Sequence, residues 1–188
     1  MKNIITIAVK LAVICLVAAF VLGFVNGITA PQIAASKAQA ELDALSVINK
    51  AGTIGDRVES SENGDGVSVN YYFPVTDGGK VTNYIMSLKD MGYGGDLVIL
   101  ANFKVNGEII DAKLMEDAET PGLGKKAENA WYMDKFKGTG ADKPVPVKKT
   151  MLESADADAV TGATITFTGV SKALAFGSEY AKKLGGQK

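Results

Sequence analysis

A run of apolar residues near the N-terminus constrains this chain more than any other part of its sequence. Residues 11–28 contain one polar side chain, Asn26. As an α-helix rising about 1.5 Å per residue, this run would be roughly 27 Å long, close to the hydrocarbon thickness of a bilayer. The sequence therefore predicts a transmembrane helix, with residues 1–30 as a membrane anchor. Lys10 would lie at the level of the lipid headgroups.

The charges on either side of this run predict its orientation. Lys2, Lys10 and the amino terminus precede the span, and the next basic residue after it is Lys37. The positive-inside rule then places the N-terminus in the cytoplasm and the rest of the chain outside the cell membrane. A cleaved signal peptide is the alternative. It is disfavoured because Pro31 would follow a cut after Ala30 and because the apolar run is longer than a typical signal core.

The composition excludes several kinds of function. The chain has 188 residues with 20 basic and 21 acidic side chains, a net charge of -1, so no positive surface for nucleic acid is expected. It contains no histidine, which removes Ser-His and Cys-His catalysis and the usual zinc ligands. The one cysteine, Cys15, lies inside the apolar run and is expected to be a structural thiol.

The residues after the anchor predict one linker helix and one domain. Residues 31–52 have apolar side chains along one side of a helix and would link the span to a domain formed by residues 53–188. Asp77-Gly78-Gly79 and Asn106-Gly107 predict hairpin turns in that domain. The segments around these turns are rich in β-branched and aromatic residues and are predicted strands: residues 67–75, 81–88, 96–105 and 108–115.

Helices are predicted after the strands. Residues 127–136 predict a short helix, and two prolines make residues 143–147 an extended connector. Residues 168–184 predict a C-terminal helix with one apolar face, ended by two glycines. Local antiparallel pairing dominates the strands. The predicted fold is therefore α+β, an antiparallel sheet with packed helices, preceded by a single N-terminal transmembrane helix.

A segment of small and hydroxyl-bearing residues, DAVTGATIT at residues 158–166, leads into the C-terminal helix. Small residues let a ligand approach the backbone closely. The unpaired N–H groups and the dipole at a helix N-terminus favour an anion, and phosphate is the usual one. The same pattern is also typical of an ordinary helix cap. The residues alone leave both interpretations open.

The run D-x-x-T-G-A-T within this segment resembles the motif by which the FMN-binding domain family carries flavin mononucleotide. Two further segments look like signature segments of the same family. They are Gly92-Tyr93-Gly94-Gly95, before the third predicted strand, and ETPGLG at residues 119–124, after the fourth. Glycine-rich turns between strands are common, so either segment alone indicates little. The three segments in family order, after one N-terminal span, are a specific resemblance that covers most of the chain beyond the anchor.

The resemblance implies a covalently bound cofactor. In the FMN-binding domain family the FMN phosphate is esterified to the last threonine of the motif, which is Thr164 in this chain. Threonine is poorly nucleophilic and no histidine is present to activate it, so the resemblance also implies a separate flavin transferase. Thr161 and Thr166 are the rival hydroxyls, but the first lies earlier in the motif and the second lies beyond its end.

The resemblance further implies contacts between the cofactor and all three segments. Glycine backbone would let the flat isoalloxazine ring approach closely, and an aromatic or leucine side chain would cover it. The segment around Thr164 would surround the phosphate. The expected contacts are Gly92, Tyr93, Gly94, Glu119, Thr120, Gly122, Leu123, Thr161, Gly162, Ala163 and Thr166.

The charged residues near these segments have ordinary interpretations. Lys125 or Lys126 could add a positive charge beside the phosphate, but a solvated lysine pair is at least as common. Glu116, Asp117 and Glu119 form an acidic cluster. They are a poor ligand set for a cation, so a solvated loop is predicted and no metal site.

Within the FMN-binding domain family, the chain resembles the G subunits of Rnf-type ferredoxin:NAD oxidoreductases, and the C subunits of sodium-pumping NADH:quinone reductases are similar. The resemblance implies a membrane-anchored flavoprotein that transfers electrons among the other subunits of a complex coupled to ion translocation. The chain itself would not be the ion path, because its span lacks the ionisable residues that a path needs. The alternative is an anchored extracytoplasmic scaffold or binding domain without a redox role.

Overall fold

The structure, a computed structural model, describes residues 2–186 of the chain. It divides into two compact units, Met1–Leu42 and Asp43–Lys188. The first unit belongs to a single long helix, α1 (Lys2–Ile48), which runs through the predicted span and most of the predicted linker. Residues 4–40 are exposed, and the helix is long and apolar enough to cross a membrane.

The second unit is built on one antiparallel sheet of seven strands. Four long strands cross the sheet in chain order, and three short strands pair with the first of them along its free edge. All four predicted strands are present. In chain order the strands are β1 (Thr53–Ile54), β2 (Val58–Glu59), β3 (Asn63–Gly64), β4 (Val67–Asp77), β5 (Lys80–Met91), β6 (Asp96–Lys104) and β7 (Ile109–Glu116).

Glycines with positive φ form the two predicted hairpin turns. β4 and β5 are joined by Gly78 and Gly79, with φ of 57° and 77°. Positive φ at both central residues is the requirement of a type I′ turn. β6 and β7 are joined through Gly107, whose φ is 87° and whose N–H donates to the Lys104 carbonyl at 2.8 Å. A longer hairpin loop with one left-handed glycine has this geometry.

Short helical pieces follow the sheet. They are three 3₁₀ turns (Gly124–Glu128, Asp134–Phe136 and Lys149–Met151) and two short helices, α2 (Ala130–Met133) and α3 (Ser154–Ala159). The helix predicted at residues 127–136 is therefore interrupted. Asn129 has an extended backbone, with φ of -81° and ψ of 140°, between the first turn and α2. The interruption lets Ala127, Tyr132 and Phe136 all enter the core, and this packing outweighs helical continuity.

The main core lies between one face of the sheet and the last helix, α4 (Thr164–Leu184). Phe167, Val170 and Leu174 of α4 are fully buried against the strands. The helix approaches the sheet closely at Gly177, where an added Cβ would lie 2.6 Å from the Phe103 ring. The helix begins four residues earlier than the predicted start at residue 168. The end of the predicted threonine loop is therefore the first turn of a helix whose position is set by the core.

The other face of the sheet is covered in part by the last turns of α1. Leu45 and Ile48 are 7% and 1% exposed, and they pack with Val75, Ile85 and Leu100 of the sheet. The buried Asn102 side chain donates to the Ile48 carbonyl at 3.0 Å. The end of the predicted linker thus completes a second core. The predicted division of the chain at residues 30 and 52 stays a prediction.

A buried carboxylate fixes the chain that follows α1. Asp111 of β7 lies 3.0 Å from the amines of both Lys50 and Lys137. Burial alone would raise the pKa of Asp111, but hydrogen bonds from Lys137 and Lys50 outweigh it and hold the pKa below its usual value. Because this pKa is lowered, the contacts of Asp111 with the two lysines stabilise the fold at pH values above the usual pKa of aspartate. This contribution is lost as the pH falls through the lowered pKa.

The predicted α+β fold is confirmed.

Replacing Ile48 should reveal the second core. In a chain lacking residues 1–30, which we expect to fold and stay soluble, Ile48→Ala should lower the free energy of unfolding by about 2–5 kcal/mol because it leaves a cavity under the sheet. Urea unfolding followed by circular dichroism measures the change. Val47→Ala is the matched control, since Val47 is 55% exposed and its loss should change stability by less than about 0.5 kcal/mol. Equal effects of the two substitutions would contradict this packing.

Candidate functional site

A cavity of about 500 Å³ opens where the three predicted signature segments meet. One segment follows β5, the second follows β7, and the third leads into α4. The wall is more apolar than polar, which suits a flat organic ring. The residues that line it are Tyr93, Glu119, Thr120, Leu123, Gly124, Gly162, Ala163, Thr164, Ile165 and Thr166.

The Glu119 carboxylate joins the three segments. One of its oxygens accepts hydrogen bonds from the backbone N–H groups of Tyr93 at 2.7 Å and Gly94 at 3.2 Å. The other accepts from the Thr166 hydroxyl at 2.7 Å. Glu119 is 4% exposed, so these bonds replace its lost hydration. A side chain between β7 and α2 therefore fixes the loop after β5 against the first turn of α4.

Three glycines allow close packing around Glu119 and the residue before it. A Cβ on Gly92 or on Gly124 would overlap a carboxylate oxygen of Glu119. A Cβ on Gly94 would overlap the carbonyl oxygen of Ala118. In the sequence analysis, Gly92 and Gly94 were expected to let the isoalloxazine ring approach the backbone closely. In the structure, the close approach that requires glycine at these positions is made by the protein itself.

Two other glycines shape the rim of the cavity. Gly122 has φ of 78° and follows Pro121, and the Leu123 N–H donates to the Thr120 carbonyl at 3.2 Å. Proline followed by a left-handed glycine is typical of a type II turn. Gly162 has φ of 87° and precedes Ala163, which occupies the N-cap position of α4. Both turns direct neighbouring residues, Leu123 and Ala163, toward the cavity.

The three candidate threonines differ in what their hydroxyls contact. The Thr166 hydroxyl is buried and donates to Glu119. The Thr161 hydroxyl donates to the Ala157 carbonyl at 3.0 Å and accepts from the Lys149 amine. Thr164 is exposed, lines the cavity, and has no side-chain hydrogen bond to any residue in the range 2–186. Of the three, the Thr164 hydroxyl is the accessible and uncommitted one.

The start of α4 offers backbone donors beside Thr164. The first intrahelical bond observed there runs from the Phe167 N–H to the Ala163 carbonyl at 2.9 Å. The N–H groups of Thr164, Ile165 and Thr166 precede it and have no helical partner. Ala163, the N-cap residue, makes no capping hydrogen bond through its side chain. The ordinary helix cap that the sequence also allowed is thus absent, and these donors are suited to a phosphate.

The lysines near the site have defined partners. Lys125 lies 2.6 Å from Glu128 and 3.4 Å from Asp117, and the hydrogen bond to Glu128 raises the pKa of Lys125. This lysine is therefore engaged by protein carboxylates. Lys149, which the sequence analysis did not single out, donates to the Thr161 hydroxyl and brings a cation to the threonine segment. No sequence motif marks it, because it lies in the 3₁₀ turn Lys149–Met151, outside the three signature segments.

A buried phenol lies near Glu119. Tyr132 of α2 is 0% exposed, and its hydroxyl has no hydrogen-bond partner among the described residues. Burial raises the pKa of Tyr132, and the negative charge of Glu119 raises it further. The Glu119 charge therefore acts on groups beyond its own hydrogen-bond partners.

Comparisons with known proteins agree with this geometry. Residues 92–178 match the model of the FMN-binding domain, and residues 1–48 match that of the RnfG N-terminal region. The G subunit of an ion-translocating oxidoreductase complex from Cereibacter sphaeroides is 30% identical, over 83% of this chain and 74% of the relative. The chain belongs to the family of G subunits of ion-translocating oxidoreductase complexes.

Other members of this family align over nearly the whole chain. One from Methanosarcina acetivorans is 29% identical over 95% of both proteins. The G subunit of the proton-translocating ferredoxin:NAD(+) oxidoreductase complex of Clostridium ljungdahlii is 27% identical over 92% of this chain and 89% of its own length. The FMN-binding match includes all three segments that form the cavity. A cavity of this size, an uncommitted hydroxyl and open backbone donors fit the flavin and phosphate parts of FMN.

The structure gathers most of the residues that the sequence nominated, but not all. Those that line the cavity are Tyr93, Glu119, Thr120, Leu123, Gly162, Ala163, Thr164 and Thr166, whereas Gly92, Gly94, Gly122 and Thr161 do not line it. Gly124 and Ile165 line the cavity and were not nominated. Both lie inside quoted motifs, ETPGLG and TGATIT, so that signal was available.

Adding a methyl group at Gly94 should disturb the site. Gly94→Ala should lower the free energy of unfolding by about 1–3 kcal/mol, because the new Cβ overlaps a backbone oxygen that cannot rotate away. Thermal and urea unfolding measure the loss. Tyr93→Ala is the neighbouring control, since the Tyr93 side chain is 72% exposed and only its backbone contacts Glu119. A Gly94→Ala protein as stable as the wild type would contradict the close contact with Ala118.

Proposed function

We propose that this chain is a membrane-anchored flavoprotein subunit that carries FMN through a phosphoester to Thr164. It transfers electrons within an Rnf-type ferredoxin:NAD oxidoreductase complex coupled to ion translocation. The observation that carries the proposal is the position of the Thr164 hydroxyl. It is exposed and uncommitted, and it lies at the start of a long helix on a residue that lines the cavity.

The choice of Thr164 over its neighbours follows from their hydrogen bonds. An ester at Thr166 would break its bond to Glu119 and force a phosphate into a position that is 1% exposed. An ester at Thr161 would displace its bond to the Ala157 carbonyl. An ester at Thr164 breaks no side-chain hydrogen bond of the described chain and places the phosphate beside the open N–H groups of α4.

The covalent bond has a physical purpose at an open site. A domain outside the cell membrane meets little free flavin, and a tether gives the cofactor a high effective concentration at its own pocket. The protein then supplies orientation and electrostatic tuning, while the flavin supplies the electron chemistry. We infer that a flavin transferase forms the bond, because threonine is poorly nucleophilic and the chain contains no histidine to activate it.

The anchor and the partners are supported by the helix and by the relatives. The exposed residues of α1 between positions 4 and 28 are mostly large and apolar, a surface that needs lipid or protein to cover it. The Clostridium ljungdahlii relative is named as a subunit of a ferredoxin:NAD(+) oxidoreductase complex. By analogy, the partners of this chain are the membrane subunits that pass electrons to and from its flavin.

Removing the Thr164 hydroxyl tests the attachment. Thr164→Ala should abolish the covalent flavin, seen as loss of in-gel fluorescence after denaturation and as loss of the FMN mass increment. It should lower the free energy of unfolding by less than about 1 kcal/mol, because an exposed hydroxyl without partners is removed. Visible absorbance of wild-type protein from its native host excludes the alternative of a scaffold without a redox role.

Thr168→Ala is the matched control for this experiment. Thr168 lies one turn along the same helix, is exposed, and donates only to the Thr164 carbonyl at 2.9 Å. The Thr168→Ala protein should keep its covalent flavin. A fluorescent band that persists in Thr164→Ala and disappears in Thr166→Ala or Thr161→Ala would move the ester to that other threonine.

Protease accessibility tests the proposed topology. If the domain lies outside the membrane, protease added to right-side-out spheroplasts should digest the chain beyond about residue 37 and leave the span, because the positive charges near Lys2 and Lys10 retain the N-terminus inside. Immunoblots against an N-terminal tag follow the protected fragment. Digestion only after membrane disruption would place the domain in the cytoplasm, and a mature N-terminus at residue 30 or beyond would show cleavage.

A further inference from the structure

Buried carboxylates in the described chain are usually paired with lysines. Asp111 lies 3.0 Å from the amines of Lys50 and Lys137. Asp90 lies 3.9 Å from the amine of Lys172. Such pairing offsets the cost of removing a charge from water, and it also cancels most of the field that the carboxylate exerts on its surroundings.

Glu119 is the exception among the buried carboxylates between residues 2 and 186. It is 4% exposed and forms no ion pair in that range. Its oxygens accept only from two backbone N–H groups, those of Tyr93 and Gly94, and from the Thr166 hydroxyl. Neutral donors stabilise a carboxylate without cancelling its net charge. In its ionised form, Glu119 therefore has no cation among the described residues that offsets its charge.

This charge faces the proposed flavin site. Glu119 lines the same cavity of about 500 Å³ as Thr164. Its field also reaches the buried Tyr132, on which it acts electrostatically without a hydrogen bond. Charges in a partly apolar and buried setting interact more strongly than they do in water. A group held in this cavity is accordingly exposed to a fixed negative potential.

We propose that the unpaired charge of Glu119 lowers the reduction potential of the flavin held in this cavity. The inference rests on the proposed function, since it needs the flavin at Thr164. On reduction the flavin takes electrons from its donor and protons from the solvent. Where it takes up fewer protons than electrons, the reduced form is more negative than the oxidised form. A fixed negative charge then disfavours the reduced form, and the equilibrium shifts toward the oxidised one.

Glu119→Gln separates this electrostatic effect from the structural role of the side chain. Glutamine has the same shape, and its carbonyl oxygen can accept from the Tyr93 and Gly94 N–H groups. Its amide can donate to the Thr166 hydroxyl, which can also accept. The three contacts are thus retained while the charge is removed. Thr166→Val does the reverse, because it removes one donor and keeps the carboxylate.

The test is a redox titration of the full-length protein with its covalent flavin, followed by visible absorbance above neutral pH. Glu119→Gln should raise the midpoint potential by at least about 30 mV. For a two-electron couple, this shift is a tenfold change in the ratio of oxidised to reduced flavin. Thr166→Val should not raise it. Glu179→Gln makes the same chemical change at an exposed position of α4, fifteen residues or about 22 Å along the helix from Thr164, and should leave the potential unchanged.

The outcomes distinguish the inference from the proposed function. A Glu119→Gln protein with normal flavin content and an unshifted potential overturns the inference and leaves the flavin assignment intact. Equal shifts in Glu119→Gln and Glu179→Gln also overturn it, because the effect would then be one of net charge. Wild-type protein without covalent flavin overturns the proposed function and the inference together. If Glu119→Gln does not fold, Thr120→Lys replaces it as the test. This substitution adds a positive charge at an exposed position beside Glu119 and should raise the potential. An unshifted potential in the Thr120→Lys protein overturns the inference.

Discussion

The hydrogen bonds of one buried carboxylate hold the candidate site together. Glu119 joins a loop after β5, its own loop after β7 and the first turn of α4, three parts of the chain that are distant in sequence. Because a buried carboxylate without these donors would be costly, the hydrogen bonds favour this mutual arrangement of the three segments. Glycine at positions 92 and 124 follows from the same requirement, since a side chain there would occupy the space of Glu119, and glycine at position 94 leaves room for the Ala118 carbonyl. The cavity is therefore formed by the protein before any ligand is considered.

Much of the architecture could be predicted from local patterns. Gly78-Gly79 and Asn106-Gly107 identified the hairpins because positive φ is a local property of glycine, and the enrichment in β-branched and aromatic residues identified the strands. The interruption at Asn129 and the early start of α4 could not be predicted in this way. Both depend on which side chains, such as Tyr132 and Phe167, can reach the core, and the residue pattern along one segment does not contain that information.

The sequence named most of the residues that line the cavity, but not the contacts that hold them together. The family motifs named the three segments, and the structure brings eight of the twelve nominated residues to the cavity wall. The role of Glu119 as a link was not foreseen, because its partners are two backbone N–H groups and one hydroxyl from other segments. Contacts of this kind leave no spacing in the sequence. The same is true of Ile48, whose burial beneath the sheet makes the end of the predicted linker part of the domain core.

The packing of α4 limits the freedom of anything attached to Thr164. Phe167, Val170 and Leu174 are fully buried directly after the first turn, and Thr166 is fixed to Glu119. Thr164 and these buried residues belong to the same helix. A group esterified to Thr164 would move mainly through rotation about its own single bonds. In family members that pass electrons between subunits, such an attachment would confine thermal motion to the cofactor arm.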